Sequence, residues 1–276
     1  LLVAAIALLG IARPLLAQDG TTQTWVPLTA DERSWLGAHQ PIRLGLYKGG
    51  WAPFDIIDRT GRHDGISADY LSLVRQRLGI QVEPVMLPDW QSLIAAVKAH
   101  QVDMLVSIAQ TADREDFLAF TKPYITSSNI LFTRRDNTAI RSLKSLAGKT
   151  VAIERGSALS EVLPKVVPGI NLMPVADTEA ALRAVSGGRA DAYVGDLIVS
   201  SYLIERLNLT NLAPHAEAGL STSALHFAVR KDWPELAVLL DRAIDTISDR
   251  DRRAIRDRWL PSLAEIDWAK VSKDYW

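Results

Sequence analysis

The chain of 276 residues is 48% apolar and 23% charged with a net charge of −1. That is enough material for real cores, with no electrostatic reason to expect nucleic acid or an anionic membrane surface as partner. The absence of cysteine excludes disulfides, thiol catalysis and Cys-ligated zinc, while the length admits one large domain or two smaller ones.

Residues 1–12 form an apolar run, followed by Arg13-Pro14 and a small residue at Ala17. Its length suits the apolar stretch of a secretory signal, so residues 1–17 are expected to be a signal peptide or membrane anchor and the protein to be periplasmic. Residues 18–39 are expected to be a tether and a short helix, opened by the capping box Thr29-Ala30-Asp31-Glu32. Residues 42–47 alternate as a strand should. Ser67 is expected to cap a helix to Leu78, with Gly79 ending it and residues 80–86 forming the next strand.

Two stretches 88 positions apart then repeat one plan. Asp89-Trp90-Gln91-Ser92-Leu93 leads to Asp103-Met104-Leu105-Val106-Ser107, and Asp177-Thr178-Glu179-Ala180-Ala181-Leu182 leads to Asp191-Ala192-Tyr193-Val194-Gly195-Asp196. In each, an Asp suited to N-capping opens a helix with apolar residues at helical spacing, and an Asp precedes a buried strand. One unit built twice predicts two similar α/β lobes. Ligands of open α/β sheets bind beyond the carboxyl ends of the strands, where Ser107 and Asp196 fall. Between the units, residues 128–133, 150–154 and 170–175 read as strands, and Gly156-Ser157 as a turn into a helix. After them, residues 225–230 read as a strand, and Trp233-Pro234 and Ser248 as the starts of two helices. Asp196 could cap a helix over residues 197–206, and Asp103 and Asp191 are expected to satisfy local backbone groups.

Residues 40–262 resemble the family-3 extracellular solute-binding proteins, the bilobed flytrap modules that bind amino acids. Ser107-Ile108-Ala109-Gln110-Thr111-Ala112-Asp113-Arg114, then Phe117-Leu118-Ala119-Phe120-Thr121-Lys122-Pro123-Tyr124, is similar to the family's strand, Thr-x-x-Arg turn and Phe-[Ser/Thr]-x-Pro-Tyr run. Trp51-Ala52-Pro53-Phe54 and Gly65-Ile66-Ser67-Ala68-Asp69 match two further motifs in the same order. The resemblance implies a type II periplasmic-binding-protein-like α/β fold, each lobe a mostly parallel sheet flanked by helices, with two hinge crossings. The first lobe would take 40–134 plus 228–262, and the second 138–225. It implies that Arg114 clamps a ligand carboxylate, for which the guanidinium fork is suited. By the same resemblance Asp196 takes the ligand ammonium, Ser107 offers a hydroxyl or backbone contact, and the Gly156-Ser157 turn offers N–H groups. Phe54 and Trp90 would form apolar walls. Ala109 stands where many amino-acid binders carry Ser or Thr, which removes one carboxylate hydrogen bond.

The lead-in from Leu28 to His39 and the run from Ala190 to Asp196 are similar to the flytrap domains of Bvg-type sensor histidine kinases, although Asn is frequent there at the position of Asp196. The aromatic tail, residues 263–276, is expected to lead toward a membrane span. The partners implied are a small amino acid or carboxylate and a membrane-embedded signalling or transport protein, with no cofactor, no metal and no nucleic acid. A free receptor of an amino-acid ABC transporter is the alternative. Dehydratase-type and murein-cleaving relatives on the same fold keep an enzyme open. Gly148-Lys149-Thr150 is not a phosphate loop, since Leu143 stands where that motif needs Gly.

Overall fold

The structure is a computed structural model that describes residues 25–217 and 223–260. The expected signal or anchor, residues 18–24 of the tether and the aromatic tail lie outside the described residues.

The chain opens with α1 (Ala30–Ala38) and β1 (Ile42–Tyr47), then a small hairpin of β2 (Ile56–Ile57) and β3 (His63–Asp64). α2 (Ile66–Leu78), β4 (Val82–Leu87), α3 (Trp90–Lys98) and β5 (Met104–Ala109) follow. The one-turn α4 (Ala112–Glu115), β6 (Leu118–Phe120) and β7 (Ile125–Ser127) close this first pass. Next come β8 (Asn129–Arg134), β9 (Thr150–Glu154), α5 (Ala158–Val166), β10 (Asn171–Val175) and α6 (Thr178–Ser186). β11 (Ala192–Asp196), α7 (Leu197–Arg206) and β12 (Leu212–Glu217) complete the second pass. β13 (Ser223–Arg230), α8 (Pro234–Asp245) and α9 (Asp249–Trp259) finish the described chain.

Short polar side chains start most of these helices as their sequence suggests. The Asp89 carboxylate accepts the Ser92 N–H at 2.7 Å and Asp177 accepts that of Ala180 at 2.8 Å. Thr29 and Ser248 form reciprocal capping boxes, and each such cap contributes about 1 kcal/mol. Ser67 differs from expectation. The N-cap of α2 is Gly65, and the carbonyls of Pro53 and Phe54 accept the Ile66 and Ser67 N–H groups at 3.0 and 3.1 Å. The Ser67 hydroxyl is therefore free to turn inward, where it donates to the Asp55 carboxylate and lies 3.0 Å from the Phe54 carbonyl.

Two sheets result, ordered β4-β1-β5-β13-β6 with β7 also on β13, and β10-β9-β11-β8-β12. In the first, β1 is parallel to β4 and β5; in the second, β9 is parallel to β10 and β11. The remaining ladders are antiparallel, so each sheet is mixed where a mostly parallel one was expected. The cause lies at the hinge. β8 and β13 are the strands by which the chain enters each lobe from the other, and helix–strand alternation in sequence does not register them.

The same strands correct the expected boundaries. β8 pairs with β11 and β12, so the chain has reached the second lobe by Asn129 and does not wait for 134–138. β13 pairs with β5 from Leu225 and with β7 from Ser223, so the return precedes residue 223. The internal repeat is visible in three dimensions. Asp103 accepts the Arg43 N–H at 2.9 Å, and Asp191 accepts the Thr150 N–H at 2.9 Å, each tying its strand to the parallel strand beside it in its own lobe.

Each lobe has its own core. In the first, α2, α8 and β1 bury Val74, Leu44, Phe227, Leu240 and their neighbours. In the second, α6 buries Ala181, Leu182, Ala184 and Val185 against Phe132 and Tyr193. Full burial of an aliphatic or aromatic side chain stabilises by about 1.5–3 kcal/mol. Ile198 and Val199, at the start of α7, pack into the first lobe's core, so the lobes meet along the inner face of that helix.

Candidate ligand-binding site

A cavity of about 490 Å³ lies between the lobes, lined from the first by the ends of β1 and β5 and from the second by the ends of β9 and β11. Arg114, Asp196, Ser107, Ala109, Trp90 and Ser157 all line it. Phe54 does not. It is fully buried in the first lobe's core, and Trp51, at a ring distance of 5.1 Å from it, supplies the wall. Gly156 serves through its carbonyl, at a backbone φ of +72° that suits glycine.

Arg114 sits in α4, directly after β5, with 6% of its surface exposed. Its guanidinium donates to the Ala109 carbonyl at 2.8 Å and, across the cleft, to the Gly156 carbonyl at 3.2 Å. It also lies 5.4 Å from the centre of the Trp90 ring. Burial disfavours its charge, with Glu161 opposing that effect from a distance, and no described carboxylate pairs with it. A buried guanidinium facing a cavity without a counter-ion is suited to an anion. The Thr111 hydroxyl, also on the cavity, is buried with no hydrogen-bond partner. Sequence reading passed over Thr111 because it fills the turn position of a motif; it offers a donor on the same wall as Ala109.

Two more bonds cross the lips beside Arg114. The Trp90 indole N–H donates to the Gly156 carbonyl at 3.2 Å, and the Gln91 amide to the Arg155 carbonyl at 3.0 Å. Trp90 is thus both a wall and a contact between the lobes.

Asp196 ends β11 from the opposite lobe and is 4% exposed. Its Oδ1 accepts the Val199 N–H at 3.1 Å, so it caps α7, while its Oδ2 is buried with no partner. Burial pushes its pKa up to about 6, opposed by the Val199 N–H, the neighbouring Ser127 hydroxyl and the Ile198 N–H. The folded state therefore holds this proton more tightly than the unfolded chain. The stability gained that way is complete below the unfolded pKa and is lost as pH rises through about 6. Asp196→Asn keeps the cap and removes the buried charge. It should raise the stability of the ligand-free protein at pH 7.5 by about 1–3 kcal/mol, a gain that fades by pH 4.5. Thermal unfolding of both proteins across that range checks it, and an equal difference at every pH would show that the carboxylate does not titrate this way.

Sequence reading missed two further acids. Glu154, at the end of β9, accepts hydroxyl bonds from Thr178 and Tyr193, both at 2.6 Å and both on Oε1. Burial raises its pKa, which those hydroxyls partly offset. In a sequence, a charged residue closing an apolar strand reads as solvated. Asp55, in the loop after the aromatic-Pro-Phe motif, is buried and takes the Ser67 hydroxyl and the His63 ring, the latter at 2.7 Å. Gly195 makes room for this arrangement, because a side chain there would collide with the Tyr193 ring.

Two α/β lobes joined by two crossings around a charged cavity define a bilobed flytrap-type binding domain. The chain belongs to the bacterial extracellular solute-binding proteins, family 3, whose pattern matches residues 42–262. It is 26% identical over 245 residues to the virulence sensor protein BvgS of Bordetella pertussis, covering 88% of this chain and 20% of that protein. The chain therefore spans about a fifth of that relative's length. It is 27% identical to the L-cystine-binding protein TcyA of Bacillus subtilis, over 73% of this chain and 74% of that one. The crystal structure of the periplasmic VFT2 domain of Bordetella pertussis BvgS superposes with a TM-score of 0.77 at 28% identity, covering 84% of this chain and 99% of that one. Among the described residues, no helix is long and apolar enough to cross a membrane.

Proposed function

We propose that this domain is the periplasmic sensor module of a membrane signalling protein and that it binds an amino acid or related small carboxylate by closing its cleft. The observation that carries the reading is the placement of Arg114 and Asp196. One is a buried cation without a counter-ion and the other has a buried oxygen without a partner; they come from opposite lobes and line one cavity. A dipolar molecule held by both must touch both lobes. Such a ligand binds the closed arrangement better than the open one, and only that difference moves the population. The likeness to a periplasmic domain of a sensor protein supports signalling. The likeness to an amino-acid-binding protein supports the second reading, a free receptor for a transporter.

A thermal-shift screen of the amino acids and small carboxylates at pH 7.5 tests the binding claim. A true ligand at about a hundred times its Kd adds about 2.7 kcal/mol of stability and raises the Tm accordingly. It should also be recovered chemically unchanged. A screen in which no zwitterion or carboxylate raises the Tm rejects the reading. The coding sequence downstream of Trp276 separates the two forms: a membrane span and kinase for the sensor, a stop for the free receptor.

A further inference from the structure

We propose that the ligand carries a second positive charge besides its ammonium, an amine or guanidinium seated against Tyr47, Asp55 and Glu154. The inference rests on the binding reading above and narrows it to basic amino acids or closely related organic cations.

The internal repeat shows where the seat comes from. Tyr47 ends β1 and Glu154 ends β9, each the strand flanked by two parallel neighbours in its own sheet. The bonds from Arg43 to Asp103 and from Thr150 to Asp191 fix the correspondence, since Tyr47 lies four residues beyond Arg43 and Glu154 four beyond Thr150. Trp90 and Thr178 correspond in the same way, each being the first residue of a helix behind a capping Asp. In the first lobe this pair is aromatic, with Tyr47 and Trp90 meeting edge to face at 6.0 Å. In the second the pair is polar, with Thr178 donating to Glu154. One wall of the cleft is therefore an aromatic surface, and the matching place on the other wall is a carboxylate.

That pairing is the chemistry of an organic cation. An aromatic ring attracts a cation by its quadrupole, and a carboxylate in a poorly hydrated site attracts it by charge. The two hydroxyls that hold Glu154 both donate to Oε1, which fixes the carboxyl group while it lines the cavity. Asp55 lines the same cavity from the first lobe. Tyr47 is half-buried, and desolvation together with the charges of Asp55, Glu154 and Asp177 raises its pKa. Asp55 stands in the first lobe and Glu154 and Asp177 in the second, so both walls bring acid to the cavity that Tyr47 lines.

The charge balance of the whole cavity agrees. Asp55, Glu154, Asp177 and Asp196 line it against Arg114 and Arg155, while Glu179 pairs with Arg183 at 2.8 Å and the His63 ring sits on Asp55. A ligand with one carboxylate and one ammonium would satisfy Arg114 and the unpartnered Oδ2 of Asp196, and leave the Tyr47–Glu154 side with excess negative charge. A ligand with a further cationic group removes it.

Calorimetric titration of the full chain at pH 7.5 with L-arginine, L-citrulline and agmatine tests this. Arginine and citrulline share one shape and differ in the charge of the terminal group; agmatine keeps that charge and lacks the carboxylate. Arginine should bind at least about ten-fold tighter than citrulline, as expected for a buried charged partner. Glu154→Gln retains an oxygen for the Thr178 and Tyr193 hydroxyls. It should weaken arginine by about ten-fold or more and leave citrulline within about three-fold. Equal binding of arginine and citrulline, or equal losses in the variant, overturns the second charge while leaving the amino-acid reading intact. Agmatine binding as tightly as arginine supports the second charge and rejects the carboxylate clamp. Failure of all three to bind overturns the inference, and whether the amino-acid reading falls with it is decided by the thermal-shift screen.

Discussion

Arg114→Ala should weaken binding of any amino acid taken by this domain by about 2–5 kcal/mol, or roughly thirty-fold to several thousand-fold in Kd. The size of the effect comes from burial. The guanidinium has 6% of its surface exposed and its only described bonds are to two backbone carbonyls, so its remaining hydrogen-bonding capacity is directed at the cavity. Without it, a ligand carboxylate would sit beside the Thr111 and Ser107 hydroxyls with no buried cation on that wall to balance its charge. Removing Arg114 also removes one of the three bonds that cross the lips, leaving those of Trp90 and Gln91. Titration of the variant, with its unfolding curve as a check on folding, measures the loss. Affinity within a factor of two of the wild type would show that the carboxylate is held elsewhere.

The second large effect is on stability. Gly65→Ala should cost about 3 kcal/mol or more, combining backbone strain with overpacking. Gly65 holds φ +112° and ψ −176°, a conformation open in practice to glycine alone. A methyl group there would lie 2.7 Å from the Pro53 carbonyl oxygen and nearer still to that of Phe54. These are the carbonyls that accept the first N–H groups of α2. The variant must therefore give up either the helix start or the loop that carries Trp51 and Asp55 to the cavity. Urea denaturation should show the lower midpoint, and an unchanged midpoint would mean that this loop yields at little cost.

The parts that sequence made legible are those set by local chemistry. Asp89, Asp177 and Ser248 opened helices because a short oxygen beside an apolar run satisfies the first free N–H groups, a choice made within four residues. The 88-residue repeat revealed two lobes because both copies keep the same cap, turn and strand. The family motif placed Arg114 and Asp196 at one opening. The parts that stayed hidden depend on long-range pairing. β12 is interrupted by Pro214 and has no apolar alternation, and it is a strand because β8 lies beside it. Phe54 and Trp51 are both aromatic within one motif, and only packing decides that one faces the core and the other the cleft. Glu154 is marked by nothing local; Tyr193 and Thr178, which hold it, are distant in sequence.

The described ends of the chain share one anchorage. Val26 donates to the Arg77 carbonyl at 3.0 Å, Glu32 of α1 pairs with Arg242 of α8, Asp251 of α9 pairs with Arg77, and Arg258 pairs with Asp69. All four ties lie within the first lobe, and the second lobe is inserted between its strands. Swinging the inserted part therefore leaves the entering and leaving segments at constant separation, like two ropes fastened to the same post. Under the proposed sensor reading, occupancy would be sensed from the surface that the swinging half presents or withdraws, and not from a pull transmitted along the backbone.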